Sequence, residues 1–271
     1  MSIQWSAIHG IISDMDGVLW RGDIPLLGMT EFFTHLQNRE VPHVLATNNS
    51  AKSPSDYVTK LSKMGVNSVL EKQIITSSTA TVDYLKNHFP EGTCLHVLGG
   101  AGLKYLIQNA GYILDTDERP CTPSAVIVGI DLDLTYTKLK RAALLIQTGI
   151  EFIGTNEDAS LPVPEGLAPG AGSIIAALKT ATRRTPRIIG KPNPPMFETA
   201  LRLLQTAPQN TLMIGDRMDT DILGAQALGI QTALVFSGVT TEDMMAQSLT
   251  QPTQSYLNLE ALIQDWQLNL T

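Results

Sequence analysis

Short apolar runs alternate with helical patterns along the whole chain, and this alternation constrains the fold more than any other feature. The first run, Ile8 to Ile12, carries few charges and predicts a buried strand. Further apolar runs lie at 41–46, 95–98, 125–128, 152–154, 187–190, 211–214 and 231–236. Helices are predicted between them at 29–37, 53–64, 76–88, 135–147, 194–205 and 219–228, and residues 161–172 predict a loop. Strands that alternate with helices favour a parallel sheet, so the sequence predicts an α/β fold.

The overall composition narrows the class of protein. A length of 271 residues suits two domains, and a net charge of −7 argues against a nonspecific nucleic-acid binder. No run resembles a signal peptide or is long enough to span a membrane, which predicts a soluble, cytoplasmic protein with no membrane partner. The two cysteines, Cys94 and Cys121, form no CxxC pair, and we expect two reduced thiols.

Two carboxylates close the first predicted strand. Asp14 and Asp16 stand one residue apart, so both can project together from the strand's carboxyl end. In open α/β sheets, ligands bind at that edge. Two close like charges are costly unless a cation or a shared proton relieves them. The pair therefore predicts a metal site, an acid/base pair, or both.

Three further polar clusters also follow apolar runs. They are Thr47-Asn48-Asn49, Gly190-Lys191-Pro192-Asn193-Pro194, and Gly215-Asp216-Arg217-Met218-Asp219-Thr220-Asp221. In a parallel sheet, all of these strand ends lie at one edge, so one pocket could hold several carboxylates, a hydroxyl and an amine. Carboxylate oxygens suit Mg²⁺, and hydroxyl and amine groups suit phosphate oxygens. This set of groups is suited to phosphoryl transfer.

The four clusters, in this order, resemble the four motifs of the haloacid dehalogenase (HAD) superfamily. The insertion between the second and third clusters is similar to the large α/β cap of the NagD-like, p-nitrophenyl phosphatase branch. Within it, Thr155-Asn156-Glu157-Asp158 and Pro169-Gly170-Ala171-Gly172 fit that branch. The resemblance implies a Rossmann-like parallel-sheet HAD core at 1–90 and 185–271, with an inserted α/β cap domain at 91–184.

The resemblance also implies a Mg²⁺-dependent phosphatase of small phosphomonoesters. Asp14 would be the nucleophile that forms an aspartyl-phosphate. Asp16 would protonate the leaving oxygen and later deprotonate the attacking water. Thr47 and the backbone of Asn48 would hold the phosphoryl oxygens, and Lys191 would neutralise charge. Asn49 and Asn156 complete the implied substrate-binding set, although a solvated turn is the alternative for the loop that contains Asn156.

The implied metal ligands are Asp14, the backbone carbonyl of Asp16, and Asp216. Asp221 would orient metal-bound water or Lys191, and Asp219 is the weaker candidate, better suited to capping a helix. The implied partner is a small phosphorylated metabolite, with a possible homodimer through the cap.

Proteins with other functions share this fold, and they are the alternatives to a phosphatase. A dehalogenase has no need of Asp16, and an ATPase relative would typically carry Thr at that position. A phospho-receiver lacks an acid two residues after its Asp and has no large cap. A metabolite-binding protein on the same fold would have lost one of the key acids or the Lys, and none is missing.

Overall fold

The computed structural model describes residues 2–50, 52–163 and 165–269, and within these ranges strands and helices alternate. The strands are β1 (Gly10–Ser13), β2 (Trp20–Arg21), β3 (Ile24–Pro25), β4 (His43–Thr47), β5 (Ile74–Thr76), β6 (Cys94–Leu98), β7 (Ile113–Leu114), β8 (Ala125–Val128), β9 (Glu151–Gly154), β10 (Ser160–Val163), β11 (Gly166–Pro169), β12 (Arg187–Ile188), β13 (Thr211–Gly215), β14 (Gln231–Val235) and β15 (Gln254–Tyr256). The helices are α1 (Met29–Asn38), α2 (Pro54–Lys63), α3 (Ser77–His88), α4 (Ala101–Asn109), α5 (Tyr136–Gln147), α6 (Ala171–Thr182), α7 (Pro194–Leu204), α8 (Leu223–Ala227), α9 (Glu242–Gln247) and α10 (Leu259–Leu268).

Residue contacts group the described chain into two units. The first unit comprises the described parts of Met1–Thr47, Pro54–Ile75 and Lys191–Thr271. The second comprises those of Asn48–Ser53 and Thr76–Gly190. The domain boundaries implied at 91 and 184 stay a prediction.

The first unit is built on a sheet with the strand order β15-β14-β13-β1-β4-β5. The pairs from β15 through β4 are parallel, as the alternation of strands and helices predicts. All four residues of β1 are buried, because β1 lies inside the sheet between β13 and β4. Ile11, Leu45, Ile214 and Val235 belong to one apolar cluster that these strands share with the flanking helices. Such burial of branched side chains is the main term that stabilises a parallel sheet.

The second unit contains its own parallel sheet, with the order β12-β9-β8-β6-β7. Val126 and Val128 of β8 pack with Ile146 of α5 and Leu178 of α6 in a separate apolar cluster. An antiparallel hairpin, β10–β11, precedes α6, where the sequence predicts a loop over 161–172. Pro164 of that predicted loop lies outside the described residues. Ordinary strand signals are missing here because Pro and Gly dominate the segment.

The prediction of two reduced thiols is wrong. Cys94 and Cys121 form a disulfide within the second unit, with their Cα atoms 6.2 Å apart. Cys94 begins β6, and the backbone N–H of Ser124, just before β8, donates to the Cys94 carbonyl at 2.9 Å. The segment that leads into β8 thus runs beside the start of β6 and brings Cys121 within bonding reach. A separation of 27 residues in the sequence carries no sign of this approach.

Among the helices of the described part of the chain, none combines the length and the apolar character needed to cross a lipid bilayer.

Candidate active site

Three neighbouring strands of the first unit end at one place. Asp14 follows β1, Thr47 ends β4, and Asp216 follows β13. In the sheet register, Ser13 lies opposite both Leu45 and Ile214, so the three ends are level. The backbone N–H of Asp14 continues the ladder by donating to the Ile214 carbonyl at 2.8 Å. Parallel pairing therefore brings together side chains that are far apart in sequence, as the four-cluster pattern predicts.

Lys191 enters this cluster from the segment before α7. Its Nζ lies 2.5 Å from Asp14 Oδ1 and 2.7 Å from Asp221 Oδ1, and it also donates to the Ala46 carbonyl at 3.1 Å. The side chain is almost fully buried. Burial alone would lower the pKa of Lys191, but the two adjacent carboxylates raise it above its ordinary value. Lys191 therefore stays positively charged near neutral pH.

The carboxylates of the cluster outnumber the cation that pairs with them. Burial raises the pKa of Asp14 well above its ordinary value, Lys191 opposes this, and the charges of Asp221 and Asp216 add to it. Burial, and then the charge of Asp221, raise the pKa of Asp216 to about 6. The site holds excess negative charge that a second cation would relieve.

The residues present fit a divalent metal ion. One carboxylate oxygen each from Asp14, Asp216 and Asp221 lies within 4.8 Å of the others. Asp216 Oδ1 is buried and has no hydrogen-bond partner among the described residues, while Asp216 Oδ2 accepts from the Val239 N–H at 2.7 Å. Hard oxygen donors of this kind are the ligands that Mg²⁺ prefers.

Two glycines make room for the Asp216 carboxylate. A Cβ added to Gly17 or Gly238 would collide with the carboxylate of Asp216. Gly17 also has a φ of +87°, a left-handed conformation that side chains other than glycine rarely adopt. The backbone can therefore approach the acidic cluster more closely than a substituted residue would allow.

A π-helical turn sets the direction of Asp221. The turn spans Met218–Ile222 and precedes α8, where the sequence predicts a regular helix over 219–228. Asp221 is buried and accepts from the Arg217 N–H at 3.2 Å. Asp219 is instead exposed and pairs with the Arg217 guanidinium at 2.8 Å. The wider turn places Asp221, rather than Asp219, beside Lys191.

Asp14 and Asp16 have different surroundings. Asp14 is buried beside Lys191, whereas Asp16 is exposed. The indole Nε1–H of Trp20 donates to Asp16 Oδ1 at 2.8 Å. The two acids are therefore not equivalent.

The implied substrate-binding asparagines lie in the second unit, whereas Thr47 ends the first-unit strand β4. The Asn48 carbonyl accepts from the Ser77 hydroxyl at 2.7 Å and from Asn156 Nδ2 at 2.9 Å. Asn156 is buried, and its Oδ1 accepts from the Asp158 N–H at 3.1 Å. Asn49 is half-buried in the segment that follows Asn48. The described hydrogen bonds of Asn156 thus hold the backbone next to Thr47.

Several groups at the site were missed by the sequence analysis. The Ala46 carbonyl and the Val239 N–H are backbone groups, and any residue can supply them. Gly238 and Ser77 stand outside the four clusters, and no spacing marks them. Trp20 stands only four residues after Asp16, but its hydrogen bond depends on how the chain turns after Gly17.

Comparisons with known proteins agree with this geometry. Residues 11–113 match the family of haloacid dehalogenase-like hydrolases, and residues 188–262 match a HAD-hydrolase-like family. The chain therefore belongs to the HAD-like hydrolases, and the predicted Rossmann-like α/β fold with a parallel sheet is confirmed. It is an enzyme of the phosphatase branch of that family, because relatives that match nearly its whole length are phosphatases.

Particular relatives make the branch more specific. An acid sugar phosphatase of Staphylococcus haemolyticus is 34% identical over 96% of this chain and 97% of its own length. The crystal structure of a 4-nitrophenylphosphatase from Thermotoga maritima has a TM-score of 0.88 and 34% identity, over 96% of this chain and 98% of that one. NagD from Escherichia coli K-12 has a TM-score of 0.85 and 29% identity, over 96% and 98% of the two chains. The resemblance to NagD-like and p-nitrophenyl phosphatase proteins is thereby confirmed.

Proposed function

We propose that this chain is a Mg²⁺-dependent phosphatase that hydrolyses phosphomonoesters of small metabolites through an aspartyl-phosphate on Asp14. One observation carries the proposal. The buried Asp14 contacts the Lys191 ammonium within a cluster that also contains Asp216 and Asp221. A carboxylate nucleophile and a phosphate dianion repel each other, and this cluster is built to receive positive charge.

Asp14 would attack phosphorus with one carboxylate oxygen. The new bond joins that oxygen to phosphorus, and the bond from phosphorus to the leaving oxygen breaks. Lys191 compensates charge on Asp14 and on the phosphoryl group. Thr47 and the backbone of Asn48 would hold the phosphoryl oxygens at the end of β4, which orients phosphorus for the in-line displacement.

Asp16 would supply protons on both sides of the intermediate. It protonates the leaving oxygen in the first step. In the second step it takes a proton from the attacking water, whose oxygen bonds to phosphorus as the bond from phosphorus to Asp14 breaks and free phosphate is released. Its exposed position suits this role, because an acid that exchanges protons with substrate and water must reach both.

Asp14, the Asp16 backbone carbonyl and Asp216 would hold Mg²⁺, and Asp221 would orient Lys191. When bound, the ion supplies charge neutralisation between nucleophile and phosphate. Asp221 contacts Lys191 directly, which supports the positioning role.

The substrates would be small phosphomonoesters such as nucleotides, sugar phosphates, phosphoglycolate or p-nitrophenyl phosphate. The relatives named acid sugar phosphatase and 4-nitrophenylphosphatase support this range. Asn49 and Asn156 stay in the proposed substrate-binding set. A homodimer through the cap, a location in the cytoplasm, and the lack of nucleic-acid and membrane partners stay predictions.

The test is a hydrolysis assay on the purified full-length chain. Phosphate release from p-nitrophenyl phosphate and from a panel of natural phosphomonoesters is measured with MgCl₂ and after EDTA treatment. We expect Mg²⁺-dependent turnover, with the preferred metabolite identified by its kcat/KM. Absence of hydrolysis across the panel would overturn the proposal.

Matched acid variants identify which carboxylates matter. Asp216→Asn should abolish the response to Mg²⁺, because it removes a charged ligand from the cluster. Asp219→Asn should keep near-normal activity, since Asp219 is exposed and pairs with Arg217. An equal loss of Mg²⁺-dependent activity in both variants would contradict the assignment of Asp216 as a metal ligand.

A further inference from the structure

We propose that Trp20 is a positioning residue that holds the Asp16 carboxyl in the orientation needed to protonate the leaving group, and that Lys60 holds Trp20 in turn. This inference rests on the proposed phosphatase function. The observation behind it is the hydrogen bond from Trp20 Nε1–H to Asp16 Oδ1, at 2.8 Å. The exposed acid is thus tied to a ring that is fully buried.

The loop between the two residues keeps them together. The Gly17 N–H donates to the Trp20 carbonyl at 2.8 Å, and Asp16 and Trp20 form a β-bridge. The left-handed φ of Gly17 lets the chain turn back over so few residues. These backbone contacts hold Asp16 and Trp20 side by side, and the hydrogen bond between their side chains adds to them.

Two residues of α2 hold the indole ring. Lys60 Nζ lies 4.3 Å from the ring centroid and donates to the Gly22 carbonyl at 2.7 Å. The Tyr57 ring stacks on Trp20 with centroids 6.3 Å apart and an angle of 16° between the planes. A cation over the face of an indole is attracted by the ring quadrupole. Because Lys60 also bonds to the backbone just after β2, it fixes both the ring and the hairpin that carries it.

The indole contact assigns different roles to the two oxygens of Asp16. An indole N–H can only donate, so it occupies Oδ1 as an acceptor and leaves Oδ2 to carry the proton. In the first step, the Oδ2–H proton passes to the leaving oxygen, which receives the electron pair of the breaking P–O bond. In the second step, Oδ2 takes a proton from the attacking water, whose oxygen bonds to phosphorus as the bond from phosphorus to Asp14 breaks and the Asp14 carboxylate is regenerated. Trp20 transfers no proton in either step.

This arrangement predicts that the Trp20 contact matters most for poor leaving groups. A nitrophenolate departs with little help, whereas an alkoxide must be protonated as it leaves. General-acid catalysis contributes roughly 10²–10⁴-fold to such reactions. The parameter kcat/KM includes only the steps up to departure of the leaving group, so it reports the acid step without the later hydrolysis.

The experiment compares wild type and Trp20→Phe on p-nitrophenyl, phenyl, benzyl and methyl phosphates. For Trp20→Phe, we expect kcat/KM to change less than about threefold on p-nitrophenyl phosphate and to fall about tenfold or more on methyl phosphate. The slope of log(kcat/KM) against leaving-group pKa becomes steeper, toward that of Asp16→Asn. If kcat/KM of Trp20→Phe falls equally on all four esters, or does not fall on any of them, the inference is overturned. A wild-type protein inactive on all four would instead overturn the proposed function.

A second pair of variants covers the case in which Trp20→Phe does not fold. Lys60→Met removes the cation over the ring and should steepen the same slope to an intermediate value. Lys63→Met changes an exposed lysine of the same helix and should leave the slope at the wild-type value. A slope for Lys60→Met that matches that of Lys63→Met would contradict the role of Lys60.

Discussion

Lys191 controls the charge balance of the acidic cluster at the residue scale. Its Nζ contacts both Asp14 and Asp221, and its side chain is almost fully buried. A buried ion pair adds little to stability over an apolar replacement of both partners, but removal of one partner strands the other charge. Under the proposed mechanism, the contacts of Lys191 therefore serve the chemistry of the site, and the fold itself does not require an ion pair at this place.

Replacement of Lys191 tests this balance. In Lys191→Met, we expect kcat to fall by roughly 10²–10³-fold or more, because the proposed mechanism uses the Lys191 charge to stabilise the transition state. The free energy of unfolding at neutral pH should fall by about 3 kcal/mol, because Asp14 and Asp221 lose their buried partner. Steady-state kinetics and urea unfolding measure the two effects.

Lys179→Met serves as the matched control for that variant. The Lys179 side chain is 43% exposed and its Nζ lies 3.6 Å from Glu157 Oε1, a pair worth about 0–1 kcal/mol. We expect both activity and stability of this variant to stay close to wild type. Retention of more than a tenth of the wild-type kcat in Lys191→Met would contradict the role given to Lys191.

The sequence alone predicts which acids lie at the site, but it does not predict the contacts that surround them. The spacing of Asp14 and Asp16 at the end of an apolar run is enough to predict that both acids project from the end of a strand. The preference for Asp221 over Asp219 came from a family resemblance, and its physical basis is a π-helical turn that no residue pattern signals. The donation from Trp20 to Asp16 depends on a glycine turn and on packing against α2, which are properties of the folded chain.

At the scale of elements, the start of α3 holds the backbone next to Thr47. The Ser77 hydroxyl donates to the Asn48 carbonyl at 2.7 Å, and both groups are buried. Ser78, the next residue, is also buried, yet its hydroxyl has no hydrogen-bond partner in the described part of the chain. The Ser77 hydroxyl also accepts from Asn156 Nδ2 at 3.2 Å, so the two adjacent serines of this helix differ in these two hydrogen bonds.

This difference allows a paired measurement. Ser77→Ala should lower the free energy of unfolding by about 1–2 kcal/mol, because the Asn48 carbonyl loses a buried donor and Asn156 Nδ2 loses a buried acceptor. Ser78→Ala should be neutral or slightly stabilising, because it removes an unsatisfied hydroxyl. Denaturant unfolding of both variants measures the effect. Equal stability of the two variants would show that the hydrogen bonds of the Ser77 hydroxyl contribute nothing.

Elements with a strong apolar pattern were predictable, and the rest depended on tertiary context. The strands β1, β8 and β13 are buried along their length, so their sequences are nearly continuous apolar runs. The short edge strand β15 contains Gln254 and Ser255, which are half-buried and give no strand pattern. It forms because β14 offers an unpaired edge.

At the scale of the whole molecule, stability should depend on pH and metal together. The pKa of Asp216 is raised from 3.8 to about 6 in the folded protein. Between these two values, Asp216 keeps its proton in the folded chain and loses it in the unfolded chain. The contribution of this proton to the free energy of unfolding is lost as the pH rises through about 6. Above that pH, Asp216 is ionised and a divalent cation can replace the lost proton.

Thermal unfolding with MgCl₂ measures this coupling. At pH 7.5, with Mg²⁺ near 100-fold above its Kd, we expect Tm to rise by about 5 °C or more. At pH 5 the rise should be smaller, because protons compete with Mg²⁺ for Asp216. Asp216→Asn should lose most of the response, and KCl at equal ionic strength should not reproduce it. A response independent of both pH and Asp216 would place the metal elsewhere.

The central claim is that Asp14 carries the phosphoryl group, and trapping of the phosphoenzyme tests it most directly. Asp16→Asn, which should slow hydrolysis of the intermediate, is mixed with substrate and Mg²⁺, quenched in acid and reduced with borohydride. Borohydride converts an aspartyl-phosphate to homoserine, and fragmentation of the tryptic peptide that ends at Arg21 distinguishes position 14 from position 16. We expect homoserine at position 14 and none in Asp14→Asn. Turnover with no modified residue, or with the modification at another residue, would contradict covalent catalysis by Asp14.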